Sequence, residues 1–160
     1  MAVKVAINGF GRIGRLVLRA IYEIPGPTYR DRLNTLAELL DVKQLLNTQI
    51  RRLSLGERMK MELIGAILHW PQVIFLDEPS AGLDPMTSGR LDELILKLRE
   101  AFGTTIVLVS HEVPSILRIA DFCVYLDPDA GRMGAYGPPR SFLTPGSHPK
   151  AHAFFSQARI

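Results

Sequence analysis

The chain has 160 residues, 47% of them hydrophobic and 22% charged, with a formal net charge of +3, which is enough for one domain with a real core. The basic residues are dispersed apart from a small group at Arg51, Arg52, Arg58 and Lys60, so no nucleic-acid stripe is expected. One cysteine, Cys123, rules out an internal disulfide. With mean hydropathy +0.12, no apolar run near the ~20 residues of a bilayer span and no signal peptide, the chain reads as soluble and cytoplasmic, without membrane insertion.

The β-branched run from Val3 to Ile7 predicts a strand that stops at Asn8-Gly9. Ile13, Leu16, Val17, Ala20 and Ile21 then recur at helical spacing, which predicts a helix from Arg12 to Glu23. Pro25-Gly26-Pro27 should break any regular element. A polar helix is expected from about Leu33 to Leu46, and a second from Ser54, as N-cap, to about Trp70. Val73 to Leu76 is a continuous apolar run ending at Asp77, as in a buried parallel strand. Leu91, Leu94, Ile95 and Leu98 mark an amphipathic helix from Asp84 to Phe102, with Gly103 placed to end it. Further strands are expected over 104–109 and 122–126, joined by a short helix that Pro114 opens. A turn-rich tail with a possible edge strand and a last helix over 149–157 complete the chain.

Strands alternating with helices imply βαβ units: a single α/β domain over 1–160, with a three-layer parallel sheet covered by helices on both faces. Right-handed crossovers align the strands' C-terminal ends along one edge. The polar motifs follow strands or open helices, so they should gather there.

Two carboxylates end the strand Val73-Ile74-Phe75-Leu76-Asp77-Glu78. The first suits hydrated Mg²⁺, a hard cation that takes oxygen ligands; the second can orient and deprotonate an attacking water. Upstream, Leu53-Ser54-Leu55-Gly56-Glu57 opens a helix whose free N–H groups can approach a phosphate. Pro79-Ser80-Ala81-Gly82-Leu83-Asp84 follows Glu78, and the later strand Val107-Leu108-Val109 runs into Ser110-His111.

In this order, from about Leu36 to Leu126, these motifs resemble the ABC-transporter ATPase: signature sequence, Walker B strand, D-loop and switch histidine. The resemblance implies ATP with Mg²⁺ as ligand and Asp77 on the metal. It implies Glu78 and His111 as the catalytic pair, and Ser54, Gly56, Glu57 and Asp84 at the nucleotide. A homodimer or an ABC-type partner subunit is implied as well, since the signature of one subunit faces the nucleotide of another.

No Gly-x-x-x-x-Gly-Lys-Ser/Thr occurs in the chain, and neither the glutamine loop nor the adenine-stacking aromatic has a recognisable counterpart. Instead, Gly9, Phe10, Gly11, Arg12, Ile13 and Gly14 form Gly-x-Gly-x-x-Gly between a strand and a helix. With its flanks, Val3 to Ala20 resembles the N-terminus of glyceraldehyde-3-phosphate dehydrogenase. That family's chemistry is excluded: no acidic residue ends a second strand, and Cys123 sits in an apolar run. The two resemblances imply a chimera, engineered or computationally generated. A Rossmann-like unit over 1–23 would join an ABC-like segment over 34–160 through a seam at 24–33, giving a P-loop NTPase/Rossmann-like hybrid. In it, strand 3–7 would sit between strands 105–109 and 122–126. Such a hybrid is expected to be weak or inactive as an ATPase. The alternatives are a non-catalytic NAD or ADP binder working through Gly9–Gly14, or a scaffold without ligand.

Overall fold

The computed structural model of the protein describes residues 22–146 and 148–157. The strand predicted at 3–7, the Gly9–Gly14 turn and nearly all of the helix predicted from Arg12 lie outside the described residues. The end of that predicted helix, Tyr22 and Glu23, is a turn.

The first helix, α1, is Gly26–Leu39, so the Pro/Gly stretch starts a helix where a break was expected. Pro27 stands in its first turn, where a missing N–H costs nothing and a fixed φ favours helix. The helix also ends earlier than predicted. Asp41 takes φ 52, which turns the chain so that Leu40 and Val42 on either side are both fully buried. Short 3-10 turns at Lys43–Leu45 and Ile50–Arg52 follow. Helix α2, Leu55–Ile67, starts where Ser54 was expected to cap it.

Strand β1 (Val73–Asp77) pairs in parallel with β2 (Thr105–Val109), in the register Val73 to Thr105 and Asp77 to Val109. Between them runs α3, Pro85–Phe102, which Gly103 ends in the left-handed conformation at φ 62, as its position predicted. Helix α4 (Val113–Ile119) leads to β3 (Cys123–Asp127), and β3 pairs antiparallel with β4 (Arg132–Gly137). The possible edge strand therefore exists, and it makes the described sheets mixed rather than all-parallel. A 3-10 turn at Pro139–Leu143 and helix α5, Pro149–Ser156, close the described chain. Lys150 Nζ ties α5 to the β3–β4 hairpin through Asp127 and Asp129, each at 2.8 Å.

One apolar cluster joins α1, α2, α3 and β1, with Leu36, Ile64, Ile67 and Leu98 almost wholly buried. A second joins α4, β4 and α5 through Ile116, Ala135, Phe142 and Phe155. The helices cover one face of β1 only, among the described residues: Ile74 is buried, whereas Phe75 on the opposite face is 77% exposed. Two-sided burial, predicted for this apolar run, is thus seen on one side. Between β2 and β3 lies an apolar cavity of about 740 Å³.

Candidate active site

Parallel pairing to the last residue of β1 places Glu78 beside the end of β2, where its N–H donates to the Val109 carbonyl at 2.9 Å. From there Glu78 Oε1 meets His111 Nδ1 at 2.8 Å. The other carboxylate oxygen, Oε2, is buried and has no hydrogen-bond partner among the described residues. Glu78 takes φ 45, a left-handed conformation that costs a non-glycine residue of order 1–3 kcal/mol and collects at functional sites. The hydrogen bond to Glu78 raises the pKa of His111, whose ring is otherwise open to solvent. Asp77, one residue earlier, is exposed at the same strand end.

After Glu78 the chain makes two tight turns, Ala81 N–H to the Glu78 carbonyl and Leu83 N–H to the Ser80 carbonyl, both at 3.0 Å. These deliver it to Asp84, the N-cap of α3. The Asp84 carboxylate accepts from the N–H groups of Met86 and Thr87 at 3.0 Å each, and a bond from the Thr87 hydroxyl, followed by these two, lowers its pKa. Asp84 was expected at the nucleotide; the structure gives its carboxylate a helix cap to hold.

The signature residues form a capping box. Ser54 Oγ accepts from Glu57 N–H at 3.3 Å, and Glu57 Oε2 accepts from Ser54 N–H at 2.8 Å. The Ser54 N–H, and with it the Ser54 hydroxyl, donates to the Glu57 carboxylate and holds it below its ordinary pKa. Glycine at 56 leaves room for Thr87, whose Cγ2 would lie 3.0 Å from a Cβ there. The close approach sets the start of α2 against the start of α3. Leu55 in turn lies over Gly82, whose own φ is +77. Ser54, Gly56 and Glu57 thus gather with Asp84, while Asp77, Glu78 and His111 gather at the strand ends. Gly9, Phe10, Gly11, Arg12, Ile13 and Gly14 lie outside the described residues. Cys123 is half-buried with its thiol pKa pushed up by burial, as a core cysteine should be.

No group of three or more His, Cys, Asp or Glu forms a metal cage among the described residues. Hydrated Mg²⁺ keeps several waters and takes one or two carboxylates plus substrate phosphates. An exposed Asp77 beside a carboxylate oxygen without a partner fits that mode.

Two features escaped the sequence reading. One is a polar seam between α3 and α4, in which Ser88 donates to Glu112 and Asp92 holds Ser115 and Arg118. Its signal was polar residues four apart on the buried face of an amphipathic helix. The other is a spacing. Gly9 and Gly14 enclose four residues and are followed by Arg15, which is the Gly-x-x-x-x-Gly frame of a phosphate loop with arginine in the lysine place.

The fold is the P-loop NTPase fold of ABC-transporter nucleotide-binding domains, with mixed parallel and antiparallel sheets and flanking helices. It matches cbiO1 from Clostridium perfringens, described as part of the ABC transporter complex cbiONQ, with TM-score 0.70 and 23% identity over 86% of this chain and 52% of that one. It also matches the ADP conformation of an ATP-binding cassette of an ABC transporter, with TM-score 0.65 and 20% identity over 82% of this chain and 48% of that one. The ABC transporter family model matches residues 5–81. The molybdenum import ATP-binding protein ModC of Paramagnetospirillum magneticum is 32% identical over 127 residues, 79% of this chain and 34% of the relative. The glycine betaine uptake system ATP-binding protein YehX of Escherichia coli is 31% identical over 81% of this chain and 42% of the relative. The zinc import ATP-binding protein ZnuC of Halorhodospira halophila is 35% identical over 71% and 42%. The chain thus spans about a third to two-fifths of the length of these relatives.

These matches support a single ABC-transporter ATP-binding domain spanning most of the chain, and they correct the sequence reading. The family match begins at residue 5 and runs unbroken across Pro25-Gly26-Pro27 to residue 81, so residues 24–33 are no junction between two families. A chimeric, engineered or generated origin falls with the seam. The dehydrogenase resemblance rested on a strand, a glycine turn and a helix, a unit that dinucleotide folds and P-loop folds both use to seat phosphate on a helix N-terminus. The expectation of a weak, inactive or ligand-free module, and its NAD-binding alternative, fall too. They assumed a missing phosphate loop, whereas the family match runs through Gly9–Gly14, and these relatives are described as ATP-binding proteins.

Proposed function

We propose that the chain is the ATP-binding and ATP-hydrolysing module of an ABC-type transporter. The observation that carries this reading is the Glu78–His111 contact at the ends of two parallel strands, with Glu78 Oε2 buried and unpartnered. Asp77 would hold Mg²⁺, which when bound neutralises phosphate charge. Glu78 orients the attacking water and takes its proton. His111 holds one carboxylate oxygen of Glu78 and leaves the other for the water. Gly9 to Gly14 cradle phosphate through backbone N–H groups, with Phe10, Arg12 and Ile13 lining the turn and Arg15 supplying the positive charge. Ser54, Gly56 and Glu57 present the start of α2 to nucleotide held by a second subunit, and Asp84 keeps the neighbouring turn in place.

The partners on this reading are a second ATP-binding subunit, in a homodimer or a mixed pair, and a membrane permease on whose cytoplasmic side the module sits. The relatives' names support an import system but divide among molybdenum, glycine betaine and zinc. No helix among the described residues is long and apolar enough to cross a membrane.

Calorimetric titration with ATP and Mg²⁺ tests the reading, with an Arg15→Ala variant alongside. Saturable binding that Arg15→Ala weakens at least ~10-fold, the loss of one charge-assisted phosphate contact, supports it. No binding at millimolar ATP overturns it.

A further inference from the structure

The contact between Glu78 and His111 spans two loops, and neither loop fixes it alone. Glu78 is anchored by its own N–H on β2 and by the turns that lead into α3. His111 lies two residues beyond β2, with its ring 73% exposed, so little packing holds it in place. What restrains its loop is the next residue. Glu112 Oε2 accepts a hydrogen bond from Ser88 Oγ at 3.0 Å, and Ser88 is only 6% exposed. Ser110 Oγ accepts from the Glu112 N–H at 3.1 Å and tightens the same turn. One helical turn further along α3, Asp92 is 2% exposed and accepts from Ser115 Oγ at 2.6 Å and Arg118 Nη1 at 3.0 Å. Both donors to Asp92 lie on α4, the helix that begins at Val113, two residues after His111. Gly89, between Ser88 and Asp92, leaves room for Arg118: a Cβ there would meet its Nη1 at 2.9 Å.

We infer that Ser88 and Asp92 are positioning residues, which dock α4 and the Ser110–Glu112 turn on α3 in the one register that keeps His111 on Glu78. The inference rests on the proposed ATP hydrolysis for its consequence, although the positioning itself is a matter of geometry. Helix α3 starts a few residues after Glu78, so the helix that fixes the carboxylate end of the pair also fixes the imidazole end. A buried carboxylate in an otherwise apolar helix face is costly unless its bonds are well made. Asp92 therefore admits few alternative registers of α4.

The test is ¹⁵N NMR of the His111 ring in the whole chain. Glu78→Gln should move the His111 Nδ1 resonance, which reports their contact. Ser88→Ala should move it in the same way, after which adding Glu78→Gln should have no further effect. Ser88→Thr, which restores the hydroxyl, should return the resonance, and Glu112→Ala should behave as Ser88→Ala. ATP turnover would fall on the order of 10- to 100-fold in kcat with KM unchanged, the scale of a small misplacement in a catalytic group. A His111 resonance that stays put in Ser88→Ala and Glu112→Ala, and still responds to Glu78→Gln, overturns the inference. If the wild-type chain shows no turnover but the resonances behave as described, the positioning stands and the hydrolytic reading fails.

Discussion

His111 Nδ1 lies 2.8 Å from Glu78 Oε1, and the two residues come from turns 33 positions apart in the chain. The parallel register of β1 and β2 makes the meeting possible, because Asp77 pairs with Val109 and both turns leave the sheet at one edge. The same contact determines which oxygen of Glu78 is free.

The contact predicts a pH dependence. Hydrogen bonding to Glu78 raises the pKa of His111 above its ordinary 6.5, so the folded chain prefers the protonated ring. The stabilisation is fully present below the unfolded value and is lost as pH rises through the folded value. An NMR titration should give a His111 midpoint above 6.5 in wild type that falls toward 6.5 in Glu78→Gln. Equal midpoints would contradict the pairing.

Asp92 shifts stability in the same direction as His111, in a lower pH range. Burial raises its pKa from 3.8, more than Ser115 and Arg118 lower it. The folded state therefore holds the proton more tightly than the unfolded chain. On acidification through the raised folded value toward 3.8, wild type should gain stability relative to Asp92→Asn. Urea unfolding of the two proteins at pH 7 and near pH 4 measures this. A wild-type stability that falls relative to Asp92→Asn in acid would go against the assigned direction.

The capping box at the start of α2 has its own test. Ser54→Ala removes the acceptor for Glu57 N–H, and loss of such a cap costs about 0.5–2 kcal/mol. Denaturant unfolding should show a lower midpoint with an unchanged slope. A Ser54→Asp variant, which keeps an N-cap acceptor, should stay close to wild type.

In the core, Leu98→Ala on α3 should be far more damaging. The side chain is 1% exposed and belongs to the cluster that joins three helices to β1. Truncation at such a site costs about 2–5 kcal/mol. A melting temperature within a degree or two of wild type would mean that α3 does not pack as described.

Much of this was legible in the residues because local chemistry decided it. Asp84 and Gly103 bracket α3 as a side-chain cap and a left-handed stop, and Ser54 and Glu57 announce α2. Asp77, Glu78 and His111 were legible as neighbours because each lies at the end of an apolar strand, and parallel strands end together. The misreadings came where local chemistry is ambiguous. Pro25-Gly26-Pro27 looks like a break, but proline in a first turn starts α1. Gly9 to Gly14 fits the glycine spacing of two patterns at once, and the dehydrogenase pattern was preferred because Arg15-Leu16 stand where the other has lysine and a hydroxyl residue. The α3–α4 seam was invisible because the packing of two helices, rather than spacing along one, pairs Ser88 with Glu112.

Phosphate release from ATP in the presence of Mg²⁺, measured for wild type and Glu78→Gln side by side, tests the central claim most directly. Turnover by wild type that falls about 10²- to 10⁴-fold in the variant, the range of a lost general base, with ATP binding retained, is the result expected. Equal turnover in the two proteins, or none in either, would contradict the assignment of this site as an ATPase centre.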